Sequence, residues 1–196
     1  MKIYISFDDG PSEGTPEILD ILNKYGIKAI FFVLVENALK YPKLIRRELK
    51  EGHQIGLHGL THKSFNDMTA WETQEQMEKA LRILDAEFGI QPIYYRPSYG
   101  TVTLAGHQSA IKNNLKLMMW DVMEKDYRSA NPDRKIKYIM KQLLDDKEKV
   151  DQILCMHDGF KNKSYGGCTA QILNNILPIL INEHKCEFAQ FTENDI

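Results

Sequence analysis

The chain has 196 residues, with 25 Lys and Arg against 27 Asp and Glu and a formal net charge of −2. That length holds one domain, or a tight pair, around a sizeable core, and a hydrophobic fraction of 43% with 27% charged residues excludes a disordered chain. The near-neutral balance leaves no basic footprint, which argues against nucleic acid or an anionic membrane as the main partner.

The first apolar run, residues 3–7, reads as a strand and meets Asp8-Asp9-Gly10-Pro11. Two carboxylates so early interrupt any apolar core of a secretory signal peptide, so none is expected. Asp-Gly-Pro is good turn chemistry. A second reading uses the pleat: neighbouring side chains point differently, so one carboxylate can bind a metal while the other stays free as a base. The Asp-x-Asp pair and following Thr of a haloacid-type phosphatase are absent.

A helix is predicted over 15–25, carrying Ile18, Leu19, Ile21 and Leu22 and stopping at Gly26. The run 29–35 is the longest apolar stretch, far short of the ~20 residues that span a bilayer. A helix over 42–51 stops at Gly52, and a strand over 54–57 delivers His58-Gly59-Leu60-Thr61-His62. Imidazoles at i and i+4 fall on one side of a helical turn, as a shared metal requires. Gly59 stands where the zincin helix has Glu, and an isolated pair of this spacing also reads as two loop histidines.

Thr69-Ala70-Trp71-Glu72 is a capping box for a helix to Phe88, closed by Gly89. A strand over 93–95 ends at Arg96, a helix is expected near 104–113, and a strand over 117–120 ends at Asp121. Asn131-Pro132 supplies the N-cap and first position of a helix to Leu144. The strand 152–156 leads into His157-Asp158, and the two-residue period puts Ile153, Cys155 and His157 on one face. The segment 159–167 reads as a mobile surface connection close to His157; Thr169 is expected to cap a last helix to Leu180, kinked at Pro178, before a strand over 187–191. His53, His107 and His184 are read as structural. Cys155, Cys168 and Cys186, an odd count with no close pair, read as reduced thiols of a cytosolic protein.

Strand–helix alternation with no linker or repeat implies parallel strands and right-handed crossovers, compatible with a β/α barrel or an open doubly wound sheet. The unusual polar residues sit at the ends of successive strands, which converge on one face only in a barrel. The barrel is therefore the expected fold.

Taken together, the motifs resemble the polysaccharide deacetylase family of carbohydrate esterases, the NodB-homology domain. Ser6-Phe7-Asp8-Asp9-Gly10-Pro11 is similar to its first motif, the segment from Gly52 through His58 to His62 to its second, and Arg96-Pro97-Ser98-Tyr99-Gly100 to its third. Trp120-Asp121 through Asp126-Tyr127 and Ile153 through Asp158 resemble the fourth and fifth. The resemblance implies a distorted (β/α)7 barrel of parallel strands, one catalytic domain over 1–196, and a metal-dependent hydrolase that removes acetyl groups from N-acetylhexosamine glycans. Carried over by position, Asp9, His58 and His62 hold Zn²⁺ or another divalent transition metal such as Co²⁺. Asp8 is the base toward a metal-activated water, Arg96 orients it, and His157 is the acid, tuned by Asp126. Tyr99 offers its backbone N–H to the oxyanion, while Tyr127 and Cys155 line the acyl pocket.

The chain also departs from the pattern. Gly59 replaces Ser or Thr, Ser98 a proline, Tyr127 a Trp, Cys155 a Leu, and Met123 and Glu124 stand in for polar residues of the fourth motif. The smaller Tyr127 and Cys155 imply either a roomier, more polar acyl pocket or repacking by neighbours. The expected partner is an N-acetylated carbohydrate, with no nucleic acid and no membrane span, in the cytoplasm. The alternatives are an O-acetyl esterase or non-sugar amide hydrolase on the same fold, and a non-catalytic glycan-binding relic. Asp8 and His157, useless to a pure binder, disfavour the last.

Overall fold

Residues Lys2–Asp8 form the central strand β1, and all but the first are buried, because both faces of the strand are covered. The structure, a computed structural model, describes residues 1–128, 131–145, 150–159 and 168–192. The other described strands are β2 (Ile30–Leu34), β3 (Gln54–Gly59), β4 (Tyr94–Tyr95), β5 (Lys116–Leu117), β6 (Val122–Met123), β7 (Gln152–His157) and β8 (Glu187–Phe188). The helices are α1 (Thr15–Lys24), α2 (Val35–Lys40), α3 (Pro42–Lys50), α4 (Ala70–Phe88), α5 (Leu104–Lys112), α6 (Pro132–Leu144) and α7 (Thr169–Asn182). None of them is long and apolar enough to cross a membrane.

The strands pair in parallel in the order β5-β4-β3-β2-β1-β7-β6, with β8 against the start of β1. The two ends of this order, β5 and β6, are neighbours in sequence, so the chain itself crosses the gap. Met118 N–H donates to Tyr95 O at 2.9 Å on one side, and Asp121 N–H to Ile153 O at 3.0 Å on the other. Taken as two halves of one bent strand, they complete the distorted (β/α)7 barrel; the open doubly wound sheet is excluded.

Alternation along β1 and β7 sorts the two sides. Ile3, Ile5, Phe7, Leu154 and Met156 pack into the main core beneath the helices. Tyr4 faces inward with Ile30, Phe32, Tyr94, Met118 and Phe191, and Ile153 packs against them. The β1–β7 register stacks three inward layers: Tyr4 opposite Ile153, Ser6 opposite Cys155, and Asp8 opposite His157. An apolar plug therefore fills the barrel's lower half, and the polar side chains lie above it, at the C-terminal strand ends.

Several boundaries differ from those expected. The strand predicted over 29–35 ends at Leu34, and Val35 opens the short helix α2, which has no capping side chain to announce it. The strand predicted over 117–120 is broken into β5 and β6 because Met118 O and Met119 O accept from the Arg96 guanidinium at 3.0 and 2.8 Å. Asp121 therefore precedes β6 instead of ending a strand. It is exposed, and its carboxylate accepts from Ile153 N–H at 2.7 Å, level with the apolar plug and away from the upper layer. Thr169 is the first residue of α7 and not its cap; Cys168 holds that position without a side-chain capping bond, and the helix runs through Pro178 to Asn182. The capping box at Thr69 and the Asn131 cap form as expected.

Candidate active site

The β1 strand ends by placing two adjacent carboxylates on different sides, as its pleat requires. Asp8 turns inward, while Asp9 leaves the strand in a left-handed conformation, φ 72°. The turn beyond is fixed by its main chain: Asn37 Nδ2 donates to Asp9 O at 2.7 Å, and Leu34 N–H to Gly10 O at 3.0 Å. Asp158 packs beneath it. A Cβ at position 10 would stand 2.1 Å from its carboxylate, so only glycine fits. Asp158 also accepts from Thr15 Oγ1 at 2.6 Å and, through its main-chain oxygen, from Ser12 Oγ. Burial and nearby carboxylates push its pKa up to about 7.

Asp9 meets the β3 end. Its Oδ1 lies 3.2 Å from His58 Nε2 and 3.1 Å from His62 Nε2, and the three donor atoms are within 4.8 Å of one another. For a tetrahedral Zn²⁺ with bonds of about 2.0 Å, ligand atoms stand about 3.3 Å apart. His58 Nδ1 lies 2.8 Å from Arg96 O, a carbonyl that can only accept, so Nδ1 carries the proton and Nε2 presents its lone pair. Asp9 Oδ1 is buried without a hydrogen-bond partner. An orphaned carboxylate oxygen facing two oriented imidazoles is a donor set suited to a divalent transition metal.

Arg96, wholly buried at the end of β4, spans the barrel above the plug. Its guanidinium donates to Asp8 Oδ1 at 2.7 Å and Ser6 Oγ at 2.9 Å, and lies 4.1 Å from the Phe32 ring centroid. Cys155 Sγ sits 3.4 Å from both Arg96 Nη1 and Asp8 Oδ2. Burial pushes its thiol pKa up, and the Asp8 charge adds to the effect.

The opposite wall is built on β7. His157 Nδ1 lies 2.7 Å from Asp126 Oδ1, and the other carboxylate oxygen accepts from His157 N–H at 2.8 Å and lies 2.6 Å from Thr169 Oγ1. Burial lowers the imidazole pKa, but the Asp126 charge and hydrogen bond more than offset it, raising it to about 9. The Tyr127 ring lies edge-on to His157 at 4.6 Å, and Tyr99, at φ 61° and mostly exposed, leans on His62 with centroids 4.1 Å apart. Ser98 Oγ donates to His58 O at 3.2 Å.

The structure thus brings Asp8, Asp9, His58, His62, Arg96, Asp126, Cys155 and His157 around one mouth of the barrel, with Tyr99 and Tyr127 beside the imidazoles. Ser6, Asn37, Ser98 and Thr169 are further polar supports to which the motif reading gives no role at the site. Ser6 and Ser98 lie inside motifs, and Thr169, a buried hydroxyl at the start of α7, carries the signal of a helix cap, whereas Asn37 carries none. His53 is structural: buried, it accepts from Ala29 N–H at 3.1 Å, with its pKa lowered to about 4 mainly by burial. The predicted connection 159–167 lies, beyond Gly159, outside the described residues.

Comparison with known proteins bears on the family and the fold. The polysaccharide deacetylase family model matches residues 1–118. A peptidoglycan-N-acetylglucosamine deacetylase, PgdA, of Listeria monocytogenes is 34% identical over 158 residues, covering 80% of this chain and 32% of its own, so this chain spans about a third of that relative. A chitooligosaccharide deacetylase of Bradyrhizobium is 29% identical over 170 residues, covering 86% of this chain and 75% of its own. The crystal structure of the Bc1960 peptidoglycan N-acetylglucosamine deacetylase superposes with a TM-score of 0.82 at 29% identity, covering 96% of this chain and 85% of that one.

Proposed function

The chain belongs to the polysaccharide deacetylase family, and on that premise we propose that it is a metal-dependent N-deacetylase of N-acetylhexosamine glycans. The observation that carries the reading is the meeting, at one barrel mouth, of a three-donor metal set, a clamped carboxylate and a carboxylate-paired imidazole. Relatives named for peptidoglycan and chitooligosaccharide deacetylation support the substrate class.

Asp9, His58 and His62 would hold the ion, Zn²⁺ or Co²⁺. When bound, it supplies Lewis acidity toward the acetyl carbonyl and makes water a stronger acid. Asp8 takes the proton of the attacking water, and Arg96 keeps that carboxylate aimed by binding one oxygen. The Tyr99 backbone N–H faces the oxygen on which negative charge develops. His157, protonated and oriented by Asp126, gives its proton to the departing nitrogen. An amide nitrogen needs that proton more than an ester oxygen does, so a strongly basic acid group favours N- over O-deacetylation. Tyr127 and Cys155 flank the acyl group. Cys155 Sγ lies 3.4 Å from both Asp8 Oδ2 and Arg96 Nη1, which supports a pocket filled by its neighbours, suited to acetyl over larger acyl groups. Free, buried Cys155, Cys168 and Cys186 support a reducing compartment.

The test is acetate release from chitooligosaccharides, peptidoglycan fragments and acetylated xylan by chelator-stripped and metal-reloaded protein. Release from the N-acetylated glycans that vanishes on stripping and returns with Zn²⁺ or Co²⁺ is the expected result. Full turnover by a stably metal-free chain would refute it.

A further inference from the structure

A second group of donor atoms meets at the same mouth: one each from Asp8, Cys155 and His157, all within 4.8 Å of one another. We infer that these three form a second cation site, selective for thiophilic divalent ions such as Zn²⁺ or Cd²⁺, and that an ion there switches the enzyme off by occupying its base and its acid together. The inhibitory role rests on the function proposed above; the existence of the site does not.

The strand register makes the cluster. Asp8 is paired directly opposite His157, and Cys155 lies two residues earlier on the same inward face of β7. Cys155 Sγ and Asp8 Oδ2 are 3.4 Å apart. Zn–S and Zn–O bonds of about 2.3 and 2.0 Å meeting at a tetrahedral angle separate their ligand atoms by about 3.5 Å, so an ion fits between the two without either backbone moving. Arg96 does not block it, because its Nη1 is bonded to the other oxygen, Asp8 Oδ1, at 2.7 Å. The same nitrogen lies 3.4 Å from Sγ, where it would stabilise a thiolate. His157 spends Nδ1 on Asp126, so its second ring nitrogen is the one free to bind. Binding exchanges protons for the ion: the thiol and imidazolium protons leave to solvent, and metal–sulfur and metal–nitrogen bonds form, with no change of oxidation state.

The two sites differ in softness. Asp9, His58 and His62 offer only oxygen and nitrogen, whereas the second cluster has a sulfur, which favours Zn²⁺ and Cd²⁺ over Mg²⁺ or Ca²⁺. A Leu at position 155, the residue of the family motif, would leave only two donors. The site is therefore a property of this sequence and not of the fold.

The experiment is a Cd²⁺ titration of the full chain carrying Cys168→Ser and Cys186→Ser, in which Cys155 is the sole thiol. The expected result is two ions per chain and a thiolate-to-cadmium charge-transfer band in the ultraviolet. Cys155→Ser and Cys155→Leu should each remove the band and one ion, and His58→Ala should remove the other ion and keep the band. Saturation at one ion without a band overturns the site, as does a band that disappears with His58→Ala. Losing even an indirect metal partner costs about 10–100-fold in affinity. Inhibition by excess Zn²⁺ should therefore shift at least about tenfold upward in Cys155→Leu, and an unshifted inhibition curve overturns the inhibitory role. A band with two bound ions but no acetate released from any glycan would leave the site standing and remove the deacetylase reading alone.

Discussion

The barrel mouth uses a buried histidine twice, to opposite ends. On the β3 side, His58 directs Nδ1 to a neutral main-chain oxygen, Arg96 O, at 2.8 Å. On the β7 side, His157 directs Nδ1 to a carboxylate, Asp126, at 2.7 Å. The carbonyl selects a tautomer and adds no net charge, which leaves Nε2 as a lone pair for a metal. The carboxylate adds a full charge in a buried setting and raises the His157 pKa to about 9, which makes a proton donor. The atom that faces each imidazole's rear nitrogen thus separates a candidate ligand from a candidate acid, though the side chains and distances are nearly alike.

The largest effects should come from removing either half outright. His58→Ala or Asp9→Ala should lose metal and activity together, by about 10³-fold or more, since the proposed ion would supply several kcal/mol toward the developing charge. Asp8→Asn, one residue away, should keep the metal and still lose turnover by about 10²–10⁴-fold. Elemental analysis beside acetate release separates the two; a metal-free Asp8→Asn protein would mean that both carboxylates serve the ion.

Asp126→Asn converts the His157 side toward the His58 arrangement, a neutral acceptor for a charged one. The proposed reaction uses the acid form of His157, which in the native protein should persist through neutral pH and be lost as pH rises through about 9. With the charge removed, burial is no longer offset, and the acid form should be lost at or below the ordinary imidazole value of about 6.5. From protonation alone, activity should then fall at least about 30-fold at pH 8 and by much less at pH 6. A loss equal at both pH values would mean that Asp126 acts by orientation and not by charge. The same pair should stabilise the fold fully below about pH 6.5, with that contribution disappearing as pH rises through about 9.

How much of this was readable beforehand follows from where the information lies. Strand ends that carry Asp, His or Arg in place of apolar residues are conspicuous in sequence, and period-two alternation already put Cys155 and His157 on one face. The break between β5 and β6 was not readable. It depends on Arg96 binding Met118 O and Met119 O from a distant strand, and carbonyls carry no residue identity. Asn37 and Thr169 escaped for a related reason: Asn37 binds a main-chain oxygen, and Thr169 stands at a helix start, where a hydroxyl is expected to cap. What decides between the two histidines, a carbonyl against a carboxylate, also becomes visible only once the strands are assembled.

Thr169→Val sharpens the acid side by a smaller step. Its hydroxyl lies 2.6 Å from Asp126 Oδ2 and 2.9 Å from His157 O, so valine removes a donor from a buried carboxylate without changing shape. Hydrogen bonds to charged groups contribute about 1.5–3 kcal/mol, and at this chain length such a loss should lower the melting temperature by about 5 °C. Turnover should fall only severalfold. A melting temperature unchanged within about 1 °C would show that Asp126 is held by His157 alone.

The smallest effect tests the ligand side. Position 59 has φ 148°, and a Cβ there would stand 3.0 Å from Thr61 O, so a hydroxyl-bearing residue could steady the histidine loop only by moving that carbonyl. Ser98 Oγ lies 3.6 Å from the same point and donates to His58 O at 3.2 Å. The hydroxyl absent at residue 59 is thus supplied from the neighbouring strand end, which ties the Tyr99 loop to the His58 backbone. One such hydrogen bond contributes about 1 kcal/mol, so Ser98→Ala should weaken metal binding about fivefold if the tie holds the ligand in place. A chelator-competition titration reads this directly. Unchanged affinity with reduced turnover would assign the tie to Tyr99 instead, because that loop can drift without disturbing a ring whose Nδ1 is still held by Arg96 O.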